Sequence, residues 1–324
     1  MIDQFDIPVC LFIFRRKDTV LKIIERISIV KPQKIYLISD EGRNEEEKIQ
    51  VHECRLAVEN AIKWPCEIVK DYAKENRGVF KNIGLGALRV FENEEQAIFL
   101  EDDNLPETTF FQYCKEMLLK YKDNDRVIWV CGTNYLGDYS SETLESYMFT
   151  QQLLPCGWAS WKNKYIKYYD KYFDNYSQTV LERMKNEYML KPLYFQQIES
   201  IDKERQRYLN GKNFRSWDYQ MIFSIMANDL VGISPVKNQI RNIGVDEISE
   251  HGGTSFDDIM TKRFCGMESY PLDFPLQHPK TVQVDPDYEK KISHIILYPL
   301  TWRIRKNIKK MLLKILPFLR DFYE

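Results

Sequence analysis

Short, continuous apolar runs alternate with amphipathic stretches along roughly the first 131 residues of this chain. Pro8 to Phe14 is one such run, followed by a stretch whose apolar positions Val20, Ile23, Ile24 and Ile27 repeat at helical spacing. Lys34 to Asp40 is a second run, and a helical pattern from about Glu46 to Ile62 leads into a third at Cys66 to Lys70. Asn82 to Glu92 reads as helix, Gln96 to Leu100 as strand, Thr108 to Tyr121 as helix and Val127 to Cys131 as strand. Strands that are apolar at every position need cover on both faces, and helices between them supply it. The pattern therefore predicts an α/β fold: a Rossmann-like, mainly parallel central sheet with flanking helices.

From about Ser140 the periodicity loosens and aromatics crowd in, among them Trp158, Trp161, Tyr165, Tyr169 and Phe173. We read this half as binding surface grafted on the sheet. Helical spacing returns at the end, where Ile304, Ile308, Met311, Leu312, Ile315, Leu316 and Leu319 form one stripe. Arg303, Lys306, Lys309, Lys310 and Lys314 lie mostly on the other side, so residues 290–324 are expected to form a basic amphipathic tail. Such a stripe fits an anionic membrane surface, the body of the same protein or a second copy in a homodimer.

Composition narrows the classes. With 46 Lys and Arg against 48 Asp and Glu, the net charge of −2 offers no global attraction for nucleic acid. Hydrophobic residues at 44% describe a packed chain. The seven cysteines are scattered without a C-x-x-C pair, which suggests neither a disulfide framework nor zinc, and reduced thiols point to the cytoplasm. An acidic start is unlike a secretory signal, and no apolar stretch is long enough to span a bilayer.

Glu101-Asp102-Asp103 follow directly on the apolar strand Gln96 to Leu100. Adjacent carboxylates beside a buried strand are costly unless a cation neutralises them. Mg²⁺ or Mn²⁺ is held by one or two protein carboxylates while substrate phosphates complete its shell, which suits a short acidic cluster at a strand's carboxyl end. The plainer alternative is that Asp102 to Asn104 cap the helix that follows.

The stretch Ile98 to Pro106 resembles the acidic metal-binding signature of GT-A glycosyltransferases in its E-D-D form. That form is found in bacterial sugar transferases of capsule and surface-polysaccharide loci and, more distantly, in the Golgi N-acetylglucosaminyltransferase that starts complex N-glycans. Over roughly residues 8–255 further segments match the bacterial pattern. Val9 to Arg16 resembles the first strand, so Phe14 and Arg15 are implied at the nucleotide. Ser39-Asp40-Glu41-Gly42 resembles the second strand's end, with Asp40 at base or ribose. Asn76-Arg77-Gly78 resembles an N-x-G turn near the donor, so Asn76 and Gly78 join the set. Cys156 to Trp161 is similar to a W-G-W-A-T-W segment, which implies Trp158 in the sugar pocket. Ser216 to Gln220 resembles the segment that carries the catalytic base of inverting enzymes, here Asp218. Pro235 to Gly244, leading on to His251, resembles a P-x-x-N-L-x-x-N-I-G...H ending that departs at Gln239-Ile240.

The resemblance implies that Asp103 and His251 bind the metal, that Glu101 and Asp102 position nucleotide and metal-bound water, and that Asp218 deprotonates an acceptor hydroxyl. It implies a GT-A catalytic domain at 1–289, with a nucleotide part to about 135 and an acceptor part from about 136, and a separate tail at 290–324. The expected activity is inverting transfer from a nucleotide sugar, by analogy a UDP-sugar, to a glycan or lipid-linked glycan. The expected place is the cytoplasm or the inner face of the cell membrane. Two other classes compete. A nucleotidyltransferase would carry a Gly-rich loop where this chain has Phe14-Arg15-Arg16-Lys17-Asp18, and a silent sugar-binding protein would hold donor without turnover.

Overall fold

The computed structural model describes residues 5–245 and 261–315. Ten strands are β1 (Val9–Ile13), β2 (Lys34–Ser39), β3 (Glu67–Tyr72), β4 (Gln96–Glu101), β5 (Asn104–Pro106), β6 (Val127–Cys131), β7 (Tyr147–Thr150), β8 (Trp158–Trp161), β9 (Val231–Pro235) and β10 (Ile240–Asn242). Eight of them form one sheet in the order β3-β2-β1-β4-β8-β6-β9-β7, and β5 and β10 form a small antiparallel ribbon. β1 pairs in parallel with β2 and β4, β2 with β3, and β6 with β9, while β8 runs antiparallel between β4 and β6 and β7 closes the far edge antiparallel. The sheet is thus mainly parallel, as the apolar runs predict.

Helices cover both faces. They are α1 (Lys17–Val30), α2 (Glu45–Ala61), α3 (Leu85–Asn93), α4 (Thr108–Lys120), α5 (Lys162–Tyr168), α6 (Gln178–Glu187), α7 (Lys191–Leu209), α8 (Asp218–Ala227), α9 (Thr261–Phe264), α10 (Pro286–Ile296) and α11 (Leu300–Ile315). Residues alternate across a strand, so β1 sends Val9, Leu11 and Ile13 into one core with Val20, Ile24, Val58 and Met117 from α1, α2 and α4. Cys10 and Phe12 enter the opposite core with Val90, Tyr165, Ile201 and Met221 from α3, α5, α7 and α8. Each apolar side chain buried this way contributes about 1.5–3 kcal/mol, and this two-sided burial makes β1 apolar throughout.

The aromatic crowd belongs to this second core. Trp158 is 1% exposed and its ring is stacked between Phe99 and Trp129, with centroids 4.0 and 4.1 Å away. Trp161, Tyr165, Tyr169 and Phe173 are buried as well. The expectation of an exposed aromatic surface, and of Trp158 as a sugar platform, is corrected here. Both faces of the Trp158 ring are already covered, because β8 is inserted between two parallel strands and carries its side chains into the interior on both sides.

Candidate active site

Glu101 ends β4, and the parallel register sets Phe12 of β1 opposite it. That adjacency delivers Phe14, Arg15 and Arg16 to the acids. The Phe14 backbone N–H donates to Asp102 Oδ2 at 2.9 Å. Arg16 donates through Nη1 to Asp103 Oδ2 at 2.7 Å and through Nη2 to the Gly244 carbonyl at 3.2 Å. Asp103 Oδ1 accepts from Asn104 Nδ2 at 2.6 Å, and Asn104 Oδ1 in turn accepts the Gly157 N–H at 2.8 Å. The ribbon fixes the other wall: Asn104 pairs with Asn242, and the Ile243 N–H donates to the Asp103 carbonyl at 2.9 Å.

The acids do not cap a helix. Strand β5 separates them from α4, whose capping residue is Glu107 and makes no side-chain cap bond. They crowd one another instead. Burial pushes the Glu101 carboxyl well above its ordinary range, and Asp103, Asp102 and Asp218 push the same way against the opposing Arg16 guanidinium. Burial also raises Asp103, outweighing the pull of Arg16 and the Asn104 bond.

Asp218 is the first residue of α8, where the helix dipole favours negative charge. It too is no cap, since Trp217 holds that position. Ser216 Oγ donates to Asp218 Oδ1. Tyr169 Oη donates to the Trp217 carbonyl at 2.9 Å, which ties the start of the helix to the aromatic core.

At the end of β2, Asp40 is buried and its carboxylate takes four donors. Oδ1 accepts the N–H groups of Glu41 and Arg77 at 2.9 and 2.8 Å, and Oδ2 accepts the Gly78 N–H at 2.8 Å and Asn76 Nδ2 at 3.3 Å. The structure does bring Asp40, Asn76 and Gly78 together, but around one another: the carboxylate's capacity goes to holding the turn. Gly78 has φ +78°, open to glycine at little cost. Arg15 donates to Glu47 Oε1 at 2.8 Å, and the guanidinium groups of Arg15 and Arg43 lie 5.6 and 5.7 Å from the Phe14 ring centre. A cavity of about 420 Å³ opens beside them, lined by Arg15, Arg16, Lys17, Asp18, Thr19, Gln50 and Glu53. His251 lies outside the described residues.

Sequence reasoning assigned no site role to Arg16, Asn104 or Gly244. The signal for Arg16 lay in strand adjacency: a cation two residues past β1 meets acids at the end of β4 only if the two strands pair. A Cβ on Gly244 would fall 2.3 Å from Asp103 Oδ2 and 2.7 Å from Arg16 Nη1, so glycine keeps that side of the carboxylate clear. Among the described residues no three His, Cys, Asp or Glu side chains converge as a closed metal cage. The set does fit a hard cation that takes one or two carboxylates and leaves the remaining positions to phosphate and water. The Arg16 guanidinium marks the place, as a positive group on Asp103 amid three other carboxylates.

No family model matches the chain, and no curated protein is similar to it. Among solved structures, a mannosyltransferase of Pyrobaculum calidifontis in complex with GDP-Man and Mn²⁺ is similar at 12% identity and TM-score 0.33, over 49% of this chain and 45% of that one. Glucosyl-3-phosphoglycerate synthase of Mycobacterium tuberculosis, with Mn²⁺, UDP and glucosyl-3-phosphoglycerate, is similar at 14% identity and TM-score 0.29, over 49% and 57%. A UDP-glucose pyrophosphorylase complexed with UDP-glucose is similar at 11% identity and TM-score 0.34, over 73% and 93%. The chain spans about half the length of the first two.

Proposed function

We propose that this chain is a GT-A-type, metal-dependent glycosyltransferase that moves a sugar from a nucleotide sugar to a hydroxyl of a glycan or lipid-linked glycan in surface-polysaccharide synthesis, with inversion. The observation that carries the reading is the run Glu101, Asp102 and Asp103 at the end of β4, with Arg16 bonded to Asp103 and Asp218 close enough to push the Glu101 carboxyl up. Such crowding is costly in an idle fold and suits a site that receives a cation and a diphosphate.

Asp103 would hold Mn²⁺ or Mg²⁺, and His251 is a second proposed ligand. Bound there, the cation would neutralise charge on the departing diphosphate. Arg16, bonded to Asp103, would offer the diphosphate a fork of N–H donors beside that cation. Phe14 and Arg15 stand where β1 ends and offer a ring face and a cation to the nucleotide, and a UDP-sugar is the proposed donor. Asp40 positions the 76–78 turn that shapes this side of the crevice. Asp102 fixes the end of β1 through the Phe14 N–H.

At Asp218 the acceptor hydroxyl gives up its proton to the carboxylate while its oxygen bonds to the anomeric carbon. The bond from that carbon to the diphosphate oxygen breaks, and nucleoside diphosphate leaves. One base facing the leaving group gives in-line displacement and inversion. Ser216, bonded to Asp218, holds the carboxylate's rotamer.

A panel of UDP-, GDP-, dTDP- and CMP-sugars incubated with Mn²⁺ and glycan acceptors should give transfer with one donor, and a chelator should abolish it. Asp218→Asn should keep donor affinity and lose about 10²–10⁴-fold in kcat. Full activity in this variant, or transfer indifferent to chelator, would sink the corresponding assignment. Proton NMR of the fresh product reads the anomeric configuration, and retention would refute the single-base mechanism.

A further inference from the structure

Helix α11 faces the wrong way for a helix that belongs to its own domain. An amphipathic helix ordinarily buries its apolar stripe against the body of the protein. Here the contacts to the body come from the charged side: Lys306 Nζ pairs with Glu199 of α7 at 3.0 Å and lies 5.5 Å from the Tyr298 ring centre. Arg303 and Lys306 are half-buried on that side. The stripe that should be buried is open instead. Ile304 and Ile308 are each 48% exposed, Met311 is 56% exposed and Leu300 is 62% exposed. Trp302 is exposed as well. Among the described residues this stripe is not buried on the protein's own body, one of the three occupants the sequence allows.

Charge separates the remaining two. Residues 300–315 carry six Lys and Arg and no Asp or Glu. Pairing the stripe with that of a second copy would set two such helices side by side, with like charges flanking the seam. An anionic lipid surface meets the same pattern with attraction, taking apolar side chains below the headgroups and cations among the phosphates. The whole chain carries −2, so with six positive charges in this helix the remainder sums to −8. That asymmetry turns the tail toward an anionic surface and the body away from it.

We propose that α11 is a peripheral membrane anchor whose Leu300, Ile304, Ile308 and Met311 insert into an anionic lipid surface while Arg305 and Lys309 meet the headgroups. This goes beyond the sugar-transfer reading and does not depend on it. No described helix is long and apolar enough to cross a membrane. The attachment is therefore in the plane of the interface.

The test is cosedimentation of the full chain with phosphatidylcholine vesicles that contain or lack phosphatidylglycerol. Binding should require the anionic lipid and fall with added salt. The double variants Ile304→Ser/Ile308→Ser and Arg305→Glu/Lys309→Glu should each weaken it about tenfold or more. The thermal midpoint of the Ile304→Ser/Ile308→Ser variant should stay at the wild-type value, since both replaced side chains are about half exposed. No vesicle binding, or equal binding to both vesicle types, would overturn the proposal. So would a dimer in sedimentation equilibrium that the Ile304→Ser/Ile308→Ser change takes apart, because the stripe's occupant would then be a second copy. Loss of transferase activity elsewhere in the chain leaves these readouts untouched.

Discussion

Asp40 and Asp103 occupy equivalent places, each just past the carboxyl end of a parallel strand, and their surroundings set them to opposite uses. Around Asp40 four N–H donors from Glu41, Asn76, Arg77 and Gly78 converge, so the carboxylate is filled by its own protein. Asp103 has one guanidinium and one side-chain amide as donors, and it stands beside Glu101, whose carboxyl it pushes up. On the proposed reading, the acid held by fixed donors serves as scaffold and the acid beside other acids receives a cation. The distinction lies in the company, since both are aspartates just past a strand's carboxyl end.

The sharpest break in this comparison is Asp103→Asn. It removes the proposed metal ligand, so kcat/KM should fall about 10³-fold, equivalent to roughly 4 kcal/mol of transition-state stabilisation. Stability should change by less than about 1 kcal/mol. The Asp103 carboxyl is held above its ordinary range, so an uncharged amide relieves the cost of the buried charge, while its NH₂ meets the Arg16 or the Asn104 donor and offsets that gain. Steady-state kinetics beside a urea titration reads both quantities, and a variant that unfolds early while remaining active would assign Asp103 to scaffold instead.

Asp40→Asn should invert that outcome. Its new NH₂ group faces N–H donors that have lost their acceptor, so unfolding should become easier by about 2 kcal/mol. Activity per folded molecule should stay within about threefold of wild type, because the group touches the turn and not the reacting atoms. Should activity collapse with the urea midpoint unchanged, Asp40 contacts the nucleotide, as the family resemblance implies.

Much of this was legible in the chain itself. β1, β2, β4 and β6 read as apolar runs because a sheet covered on both faces needs apolar residues at every position, and the acids stood out because they follow Leu100 without a break. Trp158 was set in a sugar pocket by the resemblance alone, and the insertion of an antiparallel strand between β4 and β6, which buries it on both faces, leaves no mark in the sequence. Arg16 and the saturation of Asp40 were out of reach for a different reason. One depends on which strands are neighbours, and the other on a turn 36 to 38 residues further along that folds back onto one carboxylate. Periodicity reports the face a residue buries and says nothing of the partner it meets there.

A third acid tests the comparison at its mildest. Glu47, on α2, stands among cations: Arg43 donates to it at 2.6 and 2.8 Å and Arg15 at 2.8 Å. The Arg43 bonds dominate and pull its carboxyl down to about 2, against the opposing effect of burial. A carboxyl whose folded value lies below its unfolded value of 4.5 gives stability that is fully present above about pH 4.5 and is lost as pH falls toward 2. Glu47→Gln should therefore cost about 1 kcal/mol at neutral pH, a modest figure because Arg43 is largely open to solvent. The gap from wild type should narrow as the pH falls toward about 2, where Glu47 is half protonated in the fold. Urea midpoints taken from pH 7 downward follow it. A gap that stays constant through that range would show that Glu47 acts by shape and hydrogen bonding rather than by charge, and would leave the company an acid keeps without its expected effect at this site.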